Sequence, residues 1–328
     1  MSMKRVLSAI QPTGRAHLGN YVGAIQNWVK LQHEHECYFF IADLHALTTA
    51  YENTQNISED TFQLAVDLLA AGLDPQKCVL FRQSDVTEHA ELHLIFSMFT
   101  PLGWLERVPS YKDKKEELKG RDLNTYGFLG YPLLQAADIL LYKADYVPVG
   151  RDQLAHLELT REVGRRFNHL YRPVFPECKE LLTEVPFLPG TDGRKMSKSY
   201  GNTLPLSDPI EKTHKTVLAM MTEPARKRRT DPGDPAKCPV FTYHQIFTPN
   251  DKQAELAQGC RSAGIGCIDC KKVLLEHMDQ HFAAYRQRRK DFESNPDQVA
   301  RILTQGAERA RKVAHSTLTE VKSALKLT

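Results

Sequence analysis

The segment Gln11-Pro12-Thr13-Gly14-Arg15-Ala16-His17-Leu18-Gly19-Asn20 constrains the fold more than any other part of this chain. It follows an apolar run at residues 6–10 and precedes an amphipathic run that begins near Tyr21. This order predicts a strand, a turn and then the N-terminus of a helix. Backbone N–H groups and the positive end of the helix converge at such a junction, which favours phosphate binding. A glycine turn between a strand and a helix is also common where nothing binds, so this segment alone leaves both interpretations open.

The first half of the chain predicts an α/β fold with a parallel, doubly wound sheet. Residues 6–10, 37–41 and 78–81 are rich in β-formers, and residues 21–32 and 58–71 between them have helical patterns. The β-α-β-α-β order favours a parallel, Rossmann-like sheet. Ligands of such sheets bind at the carboxyl ends of the strands, where Gln11, Asp43 and His45 fall.

A second candidate phosphate loop is Lys195-Met196-Ser197-Lys198-Ser199, which follows the glycine-flanked run of residues 190–194. Two lysines three positions apart in a polar loop can reach one polyphosphate. A lone pair of lysines is also typical of a solvated basic loop. The two lysines therefore indicate a phosphate site only in combination with the first segment.

The HLGN sequence at residues 17–20 and the KMSKS sequence at 195–199 resemble, in this order, the two signatures of the class I aminoacyl-tRNA synthetases. The resemblance is closest to the tryptophanyl-tRNA synthetases, through SAIQPTG (8–14), DLHALT (43–48), YPLLQAADILLY (131–142), VPVGRDQ (147–153) and GAERA (306–310). It implies activation of L-tryptophan with ATP and Mg²⁺, transfer to tRNA(Trp), and a homodimer. Two alternatives remain: a tyrosyl-tRNA synthetase, and an RNA-binding or regulatory paralogue without catalysis.

The resemblance assigns ATP-site residues by position. Lys195 and Lys198, together with Lys114 from the charged stretch at residues 112–117, are implied to stabilise charge on the departing pyrophosphate. For Lys114 a solvated helix face with alternating charges is an equal alternative. The implied ATP-binding residues are Gln11, Pro12, Thr13, His17, Gly19, Asn20, Gly150, Arg151, Asp152, Lys195, Met196, Ser197, Lys198 and Ser199.

Asp138 is the candidate for amino-acid selection. It interrupts an otherwise apolar helical pattern at residues 131–142, and a lone buried acid is costly unless it is paired. A structural salt bridge would account for it, whereas the resemblance implies that it accepts the indole N–H of tryptophan. The resemblance also places Tyr131 and Gln153 at the α-ammonium group, and His45 and Gln11 near the carboxylate. Gln135 and Arg151 depart from the residues usual in relatives.

Four of the seven cysteines lie close together in the sequence: Cys238, Cys260, Cys267 and Cys270. Four thiolates suit a tetrahedral zinc ion or an iron–sulfur cluster, and zinc is the commoner structural metal. A subset of bacterial tryptophanyl-tRNA synthetases has a similar cysteine pattern, so the resemblance implies a [4Fe–4S] cluster. Cys37, Cys78 and Cys178 are scattered and are expected to be buried small hydrophobes.

The length of 328 residues predicts two domains, or one domain with a large appendage. We expect a catalytic domain at residues 1–205 and a helical anticodon-binding domain at 206–328, the last helix of which packs back on the first domain. A formal charge of +3 confines any nucleic-acid surface to a local patch, for which Arg226, Arg228 and Arg229 are the candidates. Without a signal-peptide pattern or an apolar run of roughly 20 residues, the expected location is the cytoplasm.

Overall fold

A computed structural model of the chain describes residues 3–109, 123–182 and 188–327. Its centre is a sheet of five parallel strands in the order β3-β2-β1-β4-β5. The strands are β1 (Arg5–Ile10), β2 (Glu36–Ile41), β3 (Cys78–Arg82), β4 (Tyr146–Val149) and β5 (Lys179–Leu182). The predicted doubly wound parallel sheet is confirmed, since the chain order reverses at β1 and every pairing is parallel. Lys114 lies outside the described residues.

Helices cover both faces of the sheet and form the C-terminal part. In the N-terminal half they are α1 (Leu18–Asn20), α2 (Gln26–Leu31), α3 (Asp43–Ala50), α4 (Ile57–Ala71), α5 (Glu88–Ser97), α6 (Leu102–Glu106), α7 (Tyr126–Leu141) and α8 (Leu154–Leu170). A π-helical turn, Tyr21–Ile25, joins α1 to α2. The C-terminal helices are α9 (Ile210–Ala219), α10 (Pro239–Phe247), α11 (Asn250–Arg261), α12 (Cys267–Glu293) and α13 (Pro296–Ala324). Within the described ranges, no helix is both long and apolar enough to cross a bilayer.

Side-chain alternation along β2 divides the core into two layers. Phe39 points into the layer that contains Trp28 of α2, on which it stacks at 4.6 Å between ring centroids. Phe40 points into the opposite layer, beside Phe81 of β3. Successive residues of a strand face opposite sides, so β2, which is buried from Cys37 to Ile41, buries both faces beneath helices.

The two long C-terminal helices pack back on the N-terminal half. Helix α12 lies against α4, and α13 lies against β3. Gly306 explains the close approach of α13, because a Cβ atom at this position would lie 1.8 Å from the carbonyl oxygen of Leu80 in β3. Any larger residue would push the helix off the strand.

A buried ion pair joins α12 to α4. Asp67 is fully buried and accepts from the Arg289 guanidinium and from the Tyr285 hydroxyl, the latter at 2.6 Å. Its second oxygen accepts from the backbone N–H of Ala16 at 3.3 Å. Asp67 therefore connects helix α12 to the loop that precedes the HLGN sequence.

Candidate active site

The HLGN sequence forms a self-capped turn at the carboxyl end of β1. The His17 backbone N–H donates to Asn20 Oδ1 at 3.1 Å, and the Asn20 backbone N–H donates to His17 Nδ1 at 3.3 Å. This reciprocal capping box holds both side chains in place. Burial, together with the nearby charge of Lys198, lowers the pKa of His17 from 6.5 to about 4. His17 is therefore neutral at physiological pH, and its Nδ1 atom can accept a hydrogen bond.

The KMSKS loop contacts this turn directly, although 177 positions separate Gly19 from Met196. The Lys198 ammonium donates to the carbonyl oxygens of Thr13 and Gly14, at 3.0 Å each. The Gly19 backbone N–H points at the Met196 sulfur at 3.3 Å. Burial lowers the pKa of Lys198, while the charges of Asp60 and Asp67 oppose that shift. The two loops predicted from the sequence thus form one site.

Between these loops lies a cavity of about 1060 Å³, which we call the larger cavity. Among its lining residues are Gln11, Thr13, His17, Gly19, Asn20, Gly150, Arg151, Asp152, Lys195, Met196, Ser197 and Lys198. Pro12 is buried within the loop, and Ser199 lies in the 3₁₀ turn Lys198–Tyr200. With its lysines and turn amides, the larger cavity has the size and the donors that a nucleoside triphosphate requires.

Asn202 holds the KMSKS loop in shape, and the sequence reasoning missed it. Its side chain accepts from the Ser197 backbone N–H at 2.8 Å and donates to the Lys195 carbonyl at 3.0 Å and to Asp192 at 2.8 Å. The hydrogen bond from Asn202, ahead of those from Arg194, lowers the pKa of Asp192 to about 2. An asparagine three residues beyond the motif carries no strong signal in a single sequence, because such residues are common in loops.

A smaller cavity, of about 350 Å³, shares Gln11, Gly23 and Gly150 with the larger one. The other predicted tryptophan-site residues that line it are Tyr131, Asp138, His45 and Gln153, and Gln135 lines it as well. Asp152 lines the larger cavity and Gln153 the smaller, so neighbouring residues of the 3₁₀ turn before α8 serve different cavities. Asp43, which was also predicted at this edge of the sheet, is not among the described residues that line either cavity. Its carboxylate accepts from the Ser84 backbone N–H at 3.0 Å.

Asp138 is buried and paired, as the salt-bridge interpretation of the sequence expected, and it also lines the smaller cavity. It is 2% exposed, and its Oδ1 atom accepts from Gln83 Nε2 at 2.8 Å and from His89 Nδ1 at 2.7 Å. His45, which the resemblance placed near the tryptophan carboxylate, lies with its Nε2 atom 2.8 Å from Asp138 Oδ2. Burial opposes ionisation of this carboxyl, but the hydrogen bonds and charges of the two histidines lower its pKa to about 2. Asp138 is therefore an ionised acceptor in the wall of the smaller cavity.

The four cysteines converge on one region, where Cys267 and Cys270 occupy the first turn of α12. Burial, and next the charges of Cys238, Cys260 and Cys267, raise the pKa of the Cys270 thiol to about 12. In the described part of the chain, no group of three or more His, Cys, Asp or Glu side chains is arranged to hold a metal ion.

The three arginines predicted to contact tRNA have different environments. Arg226 is half-buried, and its guanidinium donates to the Ile265 carbonyl at 2.7 Å and to Cys260 Sγ at 3.7 Å. It is thus engaged with the cysteine region. Arg228 and Arg229 are exposed.

Comparison with known proteins gives one consistent picture. A profile of the family described as "tRNA synthetases class I (W and Y)" matches residues 2–283. The chain is 52% identical to the tryptophan–tRNA ligase of Thermotoga maritima, over 98% of this chain and 99% of that protein. It is 43% identical to the Aquifex aeolicus ligase, over 98% and 100%. The tryptophanyl-tRNA synthetase of Campylobacter jejuni, solved with ADP and tryptophan, superposes with a TM-score of 0.90 at 35% identity, covering 98% and 99%.

Proposed function

This chain belongs to the class I tRNA synthetases for tryptophan and tyrosine, and we propose that its two cavities hold ATP and L-tryptophan side by side. Its activity is that of a tryptophan–tRNA ligase, as in the relatives that it matches over nearly their full length. The observation that carries the site assignment is that the cavities share Gln11, Gly23 and Gly150. A carboxylate in the smaller cavity can therefore reach a phosphate in the larger one.

In the proposed reaction the tryptophan carboxylate attacks the α-phosphorus of ATP, and pyrophosphate leaves. No protein nucleophile is required, so the residues position the reactants and stabilise charge. Lys195 and Lys198 face the phosphates together with the HLGN turn, and Mg²⁺ arrives with ATP as part of the substrate. Asp152 lies where a carboxylate can accept from a ribose hydroxyl. The tryptophanyl-adenylate then transfers its acyl group to the 3′ end of tRNA(Trp).

Amino-acid choice depends on Asp138, to which the indole N–H donates in our proposal. Because three protein groups already donate to this carboxylate, a ligand without an N–H forfeits one hydrogen bond and does not leave a bare buried charge. A hydrogen bond to a charged group contributes about 1.5–3 kcal/mol, so we expect selection of about 10- to 100-fold from this contact alone. The shape of the smaller cavity must supply the remaining discrimination between tryptophan and other amino acids.

Pyrophosphate exchange tests this assignment directly. The purified protein should exchange labelled pyrophosphate into ATP with tryptophan and not with tyrosine. Exchange that depends on tyrosine would identify the alternative enzyme, and exchange with neither amino acid would identify a paralogue without catalysis. Charging of tRNA(Trp) transcripts then checks the second step.

We further propose a [4Fe–4S] cluster on Cys238, Cys260, Cys267 and Cys270. In support, Cys238, Cys260 and Cys267 all act electrostatically on the Cys270 thiol. A Cβ atom at Gly233 would lie 2.6 Å from Cys260 Sγ, so this glycine leaves space beside the sulfur. A cluster binds each cysteine through a different iron, which demands less convergence of the sulfurs than a single zinc ion does. Bound there, the cluster would supply structural cross-linking of α10, α11 and α12.

Metal analysis distinguishes the two groups. Protein purified without oxygen should be brown and contain iron and labile sulfide in equal amounts. Colourless protein with one zinc ion per chain would overturn the cluster proposal.

The remaining assignments concern partners. We propose a homodimer formed through exposed apolar side chains at the start of α7 and on, or directly after, the helices that pack against it, namely Leu47, Tyr51, Leu94, Met98, Leu102 and Tyr126. Sedimentation should give twice the chain mass, and Leu94→Glu/Met98→Glu should give the monomer.

Residues 206–328 and the exposed Arg228 and Arg229 are proposed to face the tRNA. The proposed location is the cytoplasm, where tRNA is charged.

A further inference from the structure

The hydrogen-bonding capacity of Asp138 is almost used up by the protein. A carboxylate oxygen offers two lone pairs, and Oδ1 receives two donors, Gln83 Nε2 and His89 Nδ1. Oδ2 receives a single donor from the described residues, His45 Nε2. One acceptor position, on Oδ2 and beside His45, is therefore left for a ligand.

His89 lies behind this carboxylate and is immobilised there. It is 0% exposed, and its ring centroid lies 5.4 Å from those of both Phe40 and Tyr142. Among the described residues that line the smaller cavity are Asp138 and His45 but not His89. His89 therefore does not line this cavity itself, and it acts on a ligand there through the lining residues that it contacts, Asp138 by a hydrogen bond and Phe40 by ring packing.

A second hydrogen bond holds the other ring nitrogen of His89. Its Nε2 atom lies 2.9 Å from the hydroxyl of Tyr142, which is fully buried. Burial, followed by the charge of Asp138, raises the pKa of Tyr142 well above its ordinary value, so the phenol stays protonated. Because the Asp138 carboxylate can only accept, His89 Nδ1 is the donor in its contact with Asp138 Oδ1, and the Tyr142 hydroxyl holds the opposite side of the ring at Nε2.

We propose that His89 is a positioning residue for tryptophan selection: it fixes the Asp138 carboxylate so that the remaining lone pair of Oδ2 faces the indole N–H. This inference rests on the proposed function and adds a residue outside the cavity to it. Without His89, the carboxylate keeps Gln83 on Oδ1 and His45 on Oδ2 but loses one of its three donors, so it gains freedom about its χ2 torsion and its acceptor position is less well aligned with the ligand.

The test compares tryptophan with β-(3-benzothienyl)-L-alanine, in which sulfur replaces the indole N–H. His89→Leu should lower the ratio of kcat/KM for tryptophan to kcat/KM for the analogue by about 10-fold or more. The change should fall on the KM for tryptophan, with kcat and the KM for ATP close to those of the parent enzyme. An unchanged ratio, or an equal loss for both amino acids, would overturn the proposal.

Conservative variants keep the test decisive if the leucine variant does not fold. His89→Asn places an amide N–H near the position of Nδ1, whereas His89→Gln moves it away from Asp138. The asparagine variant should keep most of the selectivity and the glutamine variant should lose it, and equal ratios would overturn the proposal. Failure of the proposed function is separate, because the parent enzyme would then fail to activate tryptophan at all.

Discussion

The buried pair of Asp67 and Arg289 allows a quantitative test of how helix α12 supports the active site. Arg289→Met keeps most of the buried volume but leaves the fully buried Asp67 with Tyr285 and the Ala16 N–H as its only partners among the described residues. Removing one member of a buried ion pair costs about 3–5 kcal/mol. This is a large share of the roughly 5–15 kcal/mol by which proteins are stable.

Urea unfolding at pH 7 measures the loss, with Lys290→Met as the matched control. Lys290 is exposed on the same helix, so its substitution removes one positive charge without opening the core. We expect Arg289→Met to lower the free energy of unfolding by about 3–5 kcal/mol, and Lys290→Met to change it by no more than about 0.5 kcal/mol. Asp67→Leu/Arg289→Met should recover part of the loss, since no unpaired buried charge remains.

The pH dependence gives a second check on the same variant. Burial raises the pKa of Asp67, and Arg289 counteracts this by lowering it. Without Arg289 the folded-state pKa rises further above the unfolded value, so the deficit should shrink as the pH falls from 7 toward 5 and Asp67 binds a proton. A loss below about 1 kcal/mol at pH 7 would refute the view that this pair is needed to neutralise a buried charge.

Three further predictions concern other parts of the molecule. Lys195→Ala should lower kcat for pyrophosphate exchange by about 100-fold or more, with the KM for tryptophan little changed; a parallel loss of tryptophan binding would indicate misfolding. Gly306→Ala should destabilise the protein by about 3 kcal/mol in urea unfolding, because its Cβ meets Leu80 at 1.8 Å, whereas Gly103→Ala has no atom within 4 Å and should be near neutral. The pKa of His17 is about 4 in the folded protein and 6.5 when the side chain is exposed, so the unfolded state binds a proton at higher pH than the folded state does. The free energy of unfolding should therefore fall by about 1–2 kcal/mol between pH 6.5 and 5. His17→Asn should reduce this loss.

Local patterns in the sequence were sufficient to predict the parallel sheet from three of its strands, β1, β2 and β3, and to indicate the two loops, whereas β4 and β5 were not predicted. Alternating apolar strands and amphipathic helices allow few arrangements, and the carboxyl ends of parallel strands place Gln11 and His45 at one edge. The placement of Lys198 beside the HLGN turn followed from the family resemblance and agrees with the structure. The site roles of individual residues remain predictions until they are measured.

The partners of buried polar groups could not be predicted in the same way. Asp138 receives Gln83, His89 and His45 from three separate segments. The resemblance placed His45 and Asp138 in one site, but nothing in the sequence indicated that Gln83 and His89 bind this carboxylate. Arg226 illustrates the same limit, since its position in a basic run suggested tRNA while its contacts are with the cysteine region.

Strand and helix periodicity are local properties, so the sequence was enough to predict the fold class, and the family resemblance of its loop motifs indicated the candidate site residues. How charge is balanced at the site is a property of the tertiary structure. Whether a carboxylate such as Asp138 or Asp67 stays ionised depends on donors that arrive from elements distant in the chain, and their distances are set by packing.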